Sequence, residues 1–212
     1  KTFFKFLIRE GIIIDSPMLK VIPPKSSKSL PLFIKESEIQ NLLNEVSFDK
    51  GFIGQRDKLI IDLFYVTGIR LSELIDIQII DIEFYKKKIK VLGKRNKERI
   101  IPLSEVIIKT LKIFINEYKL KDFLFTDIKG NKVYPKLVYR VVKKYIGMIS
   151  SINKRSPHVL RHTFATHMLN NGADINAIKD LLGHANLSAT QVYTHNTVEK
   201  LKSIYKQAHP RA

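Results

Sequence analysis

The stretch SPHVLRHTFATH, residues 156 to 167, holds three histidines and an arginine within ten positions. Two chemistries compete for it. A metal site would use His158 and His162 at the i, i+4 spacing of zinc helices. The segment lacks the glutamate base of such helices, holds no carboxylate for a third ligand, and sets Arg161 where it would repel a dication. No metal is therefore expected. An anion suits the residues better. With Ser156 as cap and Pro157 as the first helical residue, His158 lies in the first turn and Arg161 shares its face three positions on. A helix N-terminus offers unpaired N–H groups and a partial positive charge, and an imidazole beside a guanidinium completes a phosphate site. Leu160, Phe164 and Met168 form the apolar stripe that packs this helix down. His162 and His167 are expected to be hydrogen-bonded scaffold.

Other residues of the same chemical kind stand elsewhere. Arg70, in YVTGIRLSEL, sits on a tight turn between two helical patterns, from which a long cation can reach outward. Glu73 follows at i+3, and pairing would orient the arginine as well as neutralise it. Lys94, in VLGKRNKER, follows a glycine at a turn between strands; its bland reading is one more solvated charge. Tyr193, in SATQVYTH, comes nine residues after His184 on a short helix, where a half-buried aromatic is the ordinary outcome. All six histidines fall within the last 55 residues, so the C-terminal third is the expected seat of the chemistry.

Stepping along the chain gives the elements that must hold these groups. KTFFKFLIREG opens with Phe3, Phe4, Leu7 and Ile8 at helical spacing and reads as the end of a preceding domain, over 1–22. PPKSSKSLP lies in a Pro/Ser/Lys linker spanning 23–32. A main domain is expected over 33–197, followed by a C-terminal helix over 198–212. IKESEIQNLLNEV reads as an amphipathic helix and QRDKLIIDLFYVTG as a buried one stopped by Gly68. LSELIDI is a short helix. Alternation in DIEFYKKKIKVLG and ERIIPL predicts antiparallel strands joined by basic turns. Helical period returns in SEVIIKTLKIFINEY and LVYRVVKKYIGMI. Three short helices then follow, bounded by Ser156-Pro157 and Asn171-Gly172, by Asp174 and Gly183, and by Ser188. The fold class is α+β, mostly helical, with a small three-stranded antiparallel sheet.

Charge names the partner. The 212 residues carry a formal net charge of +17, with a pI near 9.9, so an extended polyanion is the favoured ligand. The charge is also lopsided. Residues 86 to 100 contain eight Lys or Arg and one Glu, whereas 35 to 62 are slightly acidic. Lys86, Lys87, Lys88, Lys90, Arg95, Lys97 and Arg99 are accordingly expected to contact a nucleic-acid backbone. The chain has no cysteine, which removes disulfides and thiolate metal sites. No apolar run approaches the ~18 residues of a membrane span, and no signal peptide is recognisable.

TGIRLSEL, GKRNKERIIPLS, HVLRHTFATHML and LLGHANLSATQVYTH together resemble the ordered signature blocks of the tyrosine site-specific recombinases, the phage integrase family. The family pattern Arg, Lys, His-x-x-Arg, His, Tyr falls on Arg70, Lys94, His158, Arg161, His184 and Tyr193, with none substituted. The resemblance runs from about residue 33 to the end, and the ending KQAHPRA is most similar to the Xer branch, whose members resolve chromosome dimers. It implies the tyrosine-recombinase catalytic fold and DNA strand exchange through a covalent 3′-phosphotyrosine on Tyr193, without metal, ATP or other cofactor. It also implies a double-stranded recombination site as substrate, a homo- or hetero-tetramer joined on DNA through the C-terminal helix, and a bacterial cytoplasmic setting. An integrase or transposase of a mobile element, or a non-cleaving DNA-binding module on the same fold, stays open beside it.

Overall fold

The computed structural model describes residues 1–22, 32–93, 98–183 and 195–211, the side chains of 195–200 excepted. The chain divides into two compact units, Lys1–Leu30 and Pro31–Ala212. The first contains helix α1 (Thr2–Arg9), none of whose residues is buried. Gly11 stops it with a φ of 69°, a value that glycine adopts without a Cβ penalty.

The second unit holds every group of interest. It begins with α2 (Glu36–Asn44), which turns Ile39, Leu42 and Leu43 inward. Its first turn is closed by Glu38, whose carboxylate accepts the Lys35 N–H at 2.9 Å. The long α3 (Gly51–Thr67) is buried on nearly all sides, which is why its sequence shows an apolar run and not a one-sided stripe. Gly68 ends it in the left-handed region, φ 57° and ψ 26°. The short α4 (Leu71–Asp76) follows directly.

A single turn of 3-10 helix, Ile79–Asp81, leads into β1 (Ile82–Glu83), β2 (Lys88–Leu92) and β3 (Glu98–Pro102). They form one antiparallel sheet in the order β1-β2-β3. Ile89 pairs with Ile101 and Val91 with Arg99, and these four residues are buried. Lys90 and Leu92, in alternation, are exposed.

The remaining helices are α5 (Glu105–Glu117), α6 (Pro135–Ile149), α7 (Pro157–Asn170), α8 (Ile175–Leu182) and α9 (His195–Ala208). Ser104 caps α5 by accepting the Ile107 N–H at 3.4 Å, and Asp174 caps α8 with N–H bonds from Asn176 and Ala177 at 2.8 and 3.1 Å. Ser156 stands at the N-cap of α7 in extended backbone, but its hydroxyl makes no capping bond; Pro157 alone pre-forms that helix start. Two apolar clusters result. The larger joins α2 to α6 and the sheet, with Val159 and Leu160 of α7. The smaller joins Phe164 and Met168 of α7, Ile178, Leu181 and Leu182 of α8, and Leu201, Tyr205 and Ala208 of α9.

The C-terminal helix thus lays its apolar face on its own domain. It starts at His195, not at 198. His209 follows it, stacked on Tyr205 at 5.0 Å and on Phe164 at 5.5 Å. Its Nε2–H donates to the Tyr65 carbonyl at 3.2 Å. His167 has the scaffold place expected of it. Its Nε2 meets the Ile34 carbonyl at 3.0 Å, which can only accept, so Nδ1 is left to accept the Tyr65 hydroxyl at 3.1 Å. Among the described residues no helix is long and apolar enough to cross a membrane.

Candidate active site

Three arginines meet where α3, α4 and α8 end or begin. Arg161 projects from the second turn of α7 toward the carboxyl ends of two helices. Its Nη1 donates to the Gly68 carbonyl and its Nη2 to the Leu182 carbonyl, the latter at 2.6 Å. Carbonyls at helix C-termini lack intrahelical donors and carry partial negative charge, so a guanidinium is the natural partner. The glycine at position 68 lets Phe164 and Leu182 pack against this end of α3. A Cβ there would stand 2.6 Å from the Phe164 ring and 2.7 Å from Leu182 Cδ2, on a backbone of positive φ.

Arg70 is the N-cap of α4. Its backbone N–H donates to Glu73 Oε2 at 2.9 Å and its Nη1 to Glu73 Oε1 at 2.8 Å. Its Nη2 donates to the Gly183 carbonyl at 2.7 Å. The pairing with Glu73 anticipated from the i+3 spacing therefore exists, and it orients the arginine as well as neutralising it. The Arg70 side chain remains 31% exposed while that of Glu73 is fully enclosed.

Arg99 is the correction. Expected among the exposed cations on a nucleic-acid face, its side chain is only 4% exposed. Nη2 donates to Glu73 Oε2 at 2.7 Å, Nε lies 3.5 Å from Glu73 Oε1, and Nη1 donates to the Leu181 carbonyl. The physical reason is the two-residue period of β3. Ile101 and Leu103 face the core, so Arg99 does as well. The same alternation was available in ERIIPL; the density of charge around it masked the signal.

The electrostatics follow from the count. Arg70 and Arg99 share the carboxylate of Glu73, and Arg161 lies within reach of the same charges, so three guanidiniums face one carboxylate and two positive charges are in excess. Burial, then the charges of Arg70 and Arg99, pull the Arg161 guanidinium below its usual range. Burial opposes ionisation of Glu73 too, but the hydrogen bond and charge of Arg99, with Arg70 behind them, outweigh it and hold its carboxyl below the ordinary value. A half-open cluster of cations with this surplus is built for an anion. A guanidinium has more N–H donors than these backbone contacts use, so both Arg70 and Arg161 keep donors for a phosphate oxygen.

His158 lies in the first turn of α7, exposed, on the same helix as Arg161. Lys94, His184 and Tyr193 lie outside the described residues, as do Arg95 and Lys97. The chain position before His184 is described: it is Gly183, whose carbonyl Arg70 holds. Of the other basic residues, Lys86 and Lys88 pair with Glu83 at 2.8 and 3.0 Å, Lys87 with Glu105 at 3.0 Å, and Lys90 with Glu98 at 2.7 Å. Such surface pairs contribute little and break readily for a phosphate. Among the described residues no three His, Asp or Glu side chains cluster as metal ligands.

Comparison with known proteins bears on this arrangement. The family model described as "Phage integrase family" matches residues 33–200. The tyrosine recombinase XerC of Staphylococcus epidermidis is 41% identical over 217 residues, covering 100% of this chain and 73% of that protein. The tyrosine recombinase XerD of Staphylococcus haemolyticus is 38% identical over 220 residues, covering 100% and 74%. Among solved structures, the XerH site-specific recombinase bound to palindromic difH substrate in a post-cleavage complex superposes with a TM-score of 0.70. It is 27% identical and covers 87% of this chain and 56% of that one.

Proposed function

The chain belongs to the phage integrase family of tyrosine recombinases, enzymes that break and rejoin DNA, and from that membership we propose that it is a site-specific recombinase with Tyr193 as its nucleophile. The observation that carries the reading is the pair of part-exposed guanidiniums, Arg70 held by the Glu73 carboxylate and Arg161 by the Gly68 and Leu182 carbonyls, with positive charge to spare. A phosphodiester repels nucleophiles until its non-bridging oxygens are held. Two guanidiniums hold them and stabilise the charge that grows there. His184 adds a hydrogen bond to the same group.

In the proposed step the Tyr193 oxygen attacks phosphorus, its proton passing to His158, and a 3′-phosphotyrosine bond forms as the bond to the 5′-oxygen breaks. A phenol of pKa near 10 is both an attainable nucleophile and a competent leaving group for the return step. The departing 5′-oxygen is far more basic and takes a proton from Lys94. The ester bond energy is kept in the protein–DNA link, so rejoining needs no outside energy source. Lys86, Lys87, Lys88, Lys90, Arg95 and Lys97 hold the surrounding backbone.

Residues 1–22 act in this reading as the end of a core-binding domain, 23–32 as a linker and 33–197 as the catalytic domain. The role is chromosome dimer resolution in a bacterial cytoplasm, supported by likeness to XerC and XerD over the whole chain. Service to a mobile element is the rival role, and the genomic neighbourhood of the target site separates the two. Assembly as a homo- or hetero-tetramer on DNA through the C-terminal helix carries a structural requirement. Leu201, Tyr205 and Ala208 are covered by α7 and α8 of their own chain, so docking on a neighbour would exchange that contact.

The deciding experiment uses a duplex selected by this protein from a randomised library, nicked so that cleavage traps the adduct. A protein–DNA band is expected on a denaturing gel and is absent with Tyr193→Phe. Salt-sensitive binding with no adduct would instead make the chain a binding module.

A further inference from the structure

We propose that Arg99 is a positioning residue for strand cleavage, setting the Glu73–Arg70 pair and the end of α8 in the arrangement that receives the phosphate. The inference rests on the functional reading above, because Arg99 acts in it through Arg70.

Burial removes the simpler role. A side chain 4% exposed on the core face of β3 does not reach a DNA backbone. Stability does not explain the residue either. Desolvating a guanidinium is costly, and an apolar side chain between Val91 and Ile101 would often stabilise a strand at least as well. What Arg99 does have is a distinct set of contacts. It approaches both oxygens of Glu73, the acid that anchors the Arg70 backbone N–H and guanidinium. It also holds the Leu181 carbonyl. Arg161 takes the next carbonyl, Leu182, and Arg70 the one after, Gly183. Three guanidiniums therefore seat three successive carbonyls, and Arg99 is the one of them that is enclosed.

Gly183 gives a second, independent observation. A Cβ at this position would lie 2.7 Å from Arg99 Cδ, 3.1 Å from its Nε and 3.5 Å from Arg70 Nη1, on a backbone of φ +64°. The bare glycine is what lets the Arg99 stem pass beneath the end of α8 while Arg70 closes over it.

The electrostatic consequence is specific. With Arg99 in place, Glu73 divides its charge between two arginines and stays ionised. Without Arg99, Arg70 alone faces a fully enclosed carboxylate. With one of its two arginine partners gone, the Glu73 carboxyl rises toward neutrality. Cleavage then acquires an acid limb in addition to the one that protonation of the His158 base imposes on the parent, because protonated Glu73 releases its hold on Arg70.

The test measures adduct formation at saturating protein on the same selected, nicked duplex, for Arg99→Met, Arg99→Lys and Arg99→Met with Glu73→Gln. Arg99→Met is expected to cleave at least about tenfold more slowly, with DNA affinity within about twofold of the parent. As pH drops from about 8 to about 5.5 its rate falls more steeply than that of the parent, whose own fall comes from the His158 base. Adding Glu73→Gln removes that added steepness, and Arg99→Lys restores part of the rate.

A folded Arg99→Met that cleaves like the parent overturns the proposal. So does a loss confined to affinity with a shallower salt dependence, which would return Arg99 to the DNA surface. If neither Met nor Lys at 99 gives a folded protein, Arg99 is a determinant of the fold and the proposal fails equally. The parent and Tyr193→Phe are run alongside: absence of an adduct from the parent rejects the recombinase reading itself, whatever the Arg99 variants do.

Discussion

At the scale of single residues, the two arginines at the site differ in how they are held, and the difference governs what their loss does. Arg70 is steered by a carboxylate, Arg161 only by the carbonyls of Gly68 and Leu182. Arg161→Lys keeps one positive charge but cannot span two carbonyls and a phosphate oxygen from a single ammonium. Its cleavage rate should fall on the order of 10²–10³, the usual effect of losing one such donor. Affinity for uncut DNA should stay within a few-fold, which gel-shift titration beside single-turnover cleavage would show; parallel loss of both would place Arg161 in ground-state binding. Local punctuation marks these positions in the sequence, Gly68 before Arg70 and Pro157 before His158 and Arg161, whereas the meeting of Arg70 with Arg161 depends on the fold. Arg99 was not read correctly, since a run of eight basic residues in 86–100 suggested one exposed face for all of them. Charge density gives composition; the period of the strand gives direction, and at position 99 direction decides.

At the scale of elements, the C-terminal segment shows what a sequence leaves unwritten. Its amphipathic spacing announces a helix with an apolar face but not the partner of that face. The partners lie far away in the chain: Phe164 and Met168 on α7, Leu181 and Leu182 on α8, and Tyr65 on α3. His209 is the pin. Its Nε2–H donates to Tyr65 O and its Nδ1 accepts the Arg211 N–H at 3.0 Å, so the neutral ring is satisfied at both nitrogens. Protonation would set an N–H against an N–H. Burial, with the charges of His167 and Arg211 adding to it against the Tyr65 hydrogen bond, pushes its pKa down from 6.5 to about 4. Above pH 6.5 neither folded nor unfolded chain protonates it, and the ring contributes no pH dependence. Between 6.5 and about 4 the unfolded chain takes up a proton that the folded one refuses, so stability is lost as pH falls. The loss approaches about 3 kcal/mol at the acid end. The difference in unfolding free energy between the parent and His209→Phe, followed from pH 7 to 4, isolates this ring from the carboxylates. A difference that stays constant across the range would remove His209 as its source.

At the scale of the whole molecule, +17 on 212 residues makes affinity for DNA a matter of ions released. Binding should weaken by on the order of 10³ or more for a fourfold rise in salt if several phosphates are contacted. Replacing Lys86, Lys87 and Lys90 together with Gln should flatten the log–log slope by up to about three, as fluorescence anisotropy would record; an unchanged slope would put the DNA on another face. The fold class and the order of elements were readable from periodicity and end signals, because α5, α7 and α8 begin or end on residues with strong local preferences. The seating of α8 was not, because it depends on contacts between chain positions 68, 70, 99, 161 and 181 to 183, brought together only by the fold. That seat has a practical meaning for rebuilding the protein. The described chain leaves it at Gly183, one residue before His184, so the sequence that carries His184 and Tyr193 follows directly on a point braced on three sides. A hybrid spliced after Gly183 would inherit that bracing whole. One spliced within α8 would have to bring matching partners for positions 70, 99 and 161 along with it.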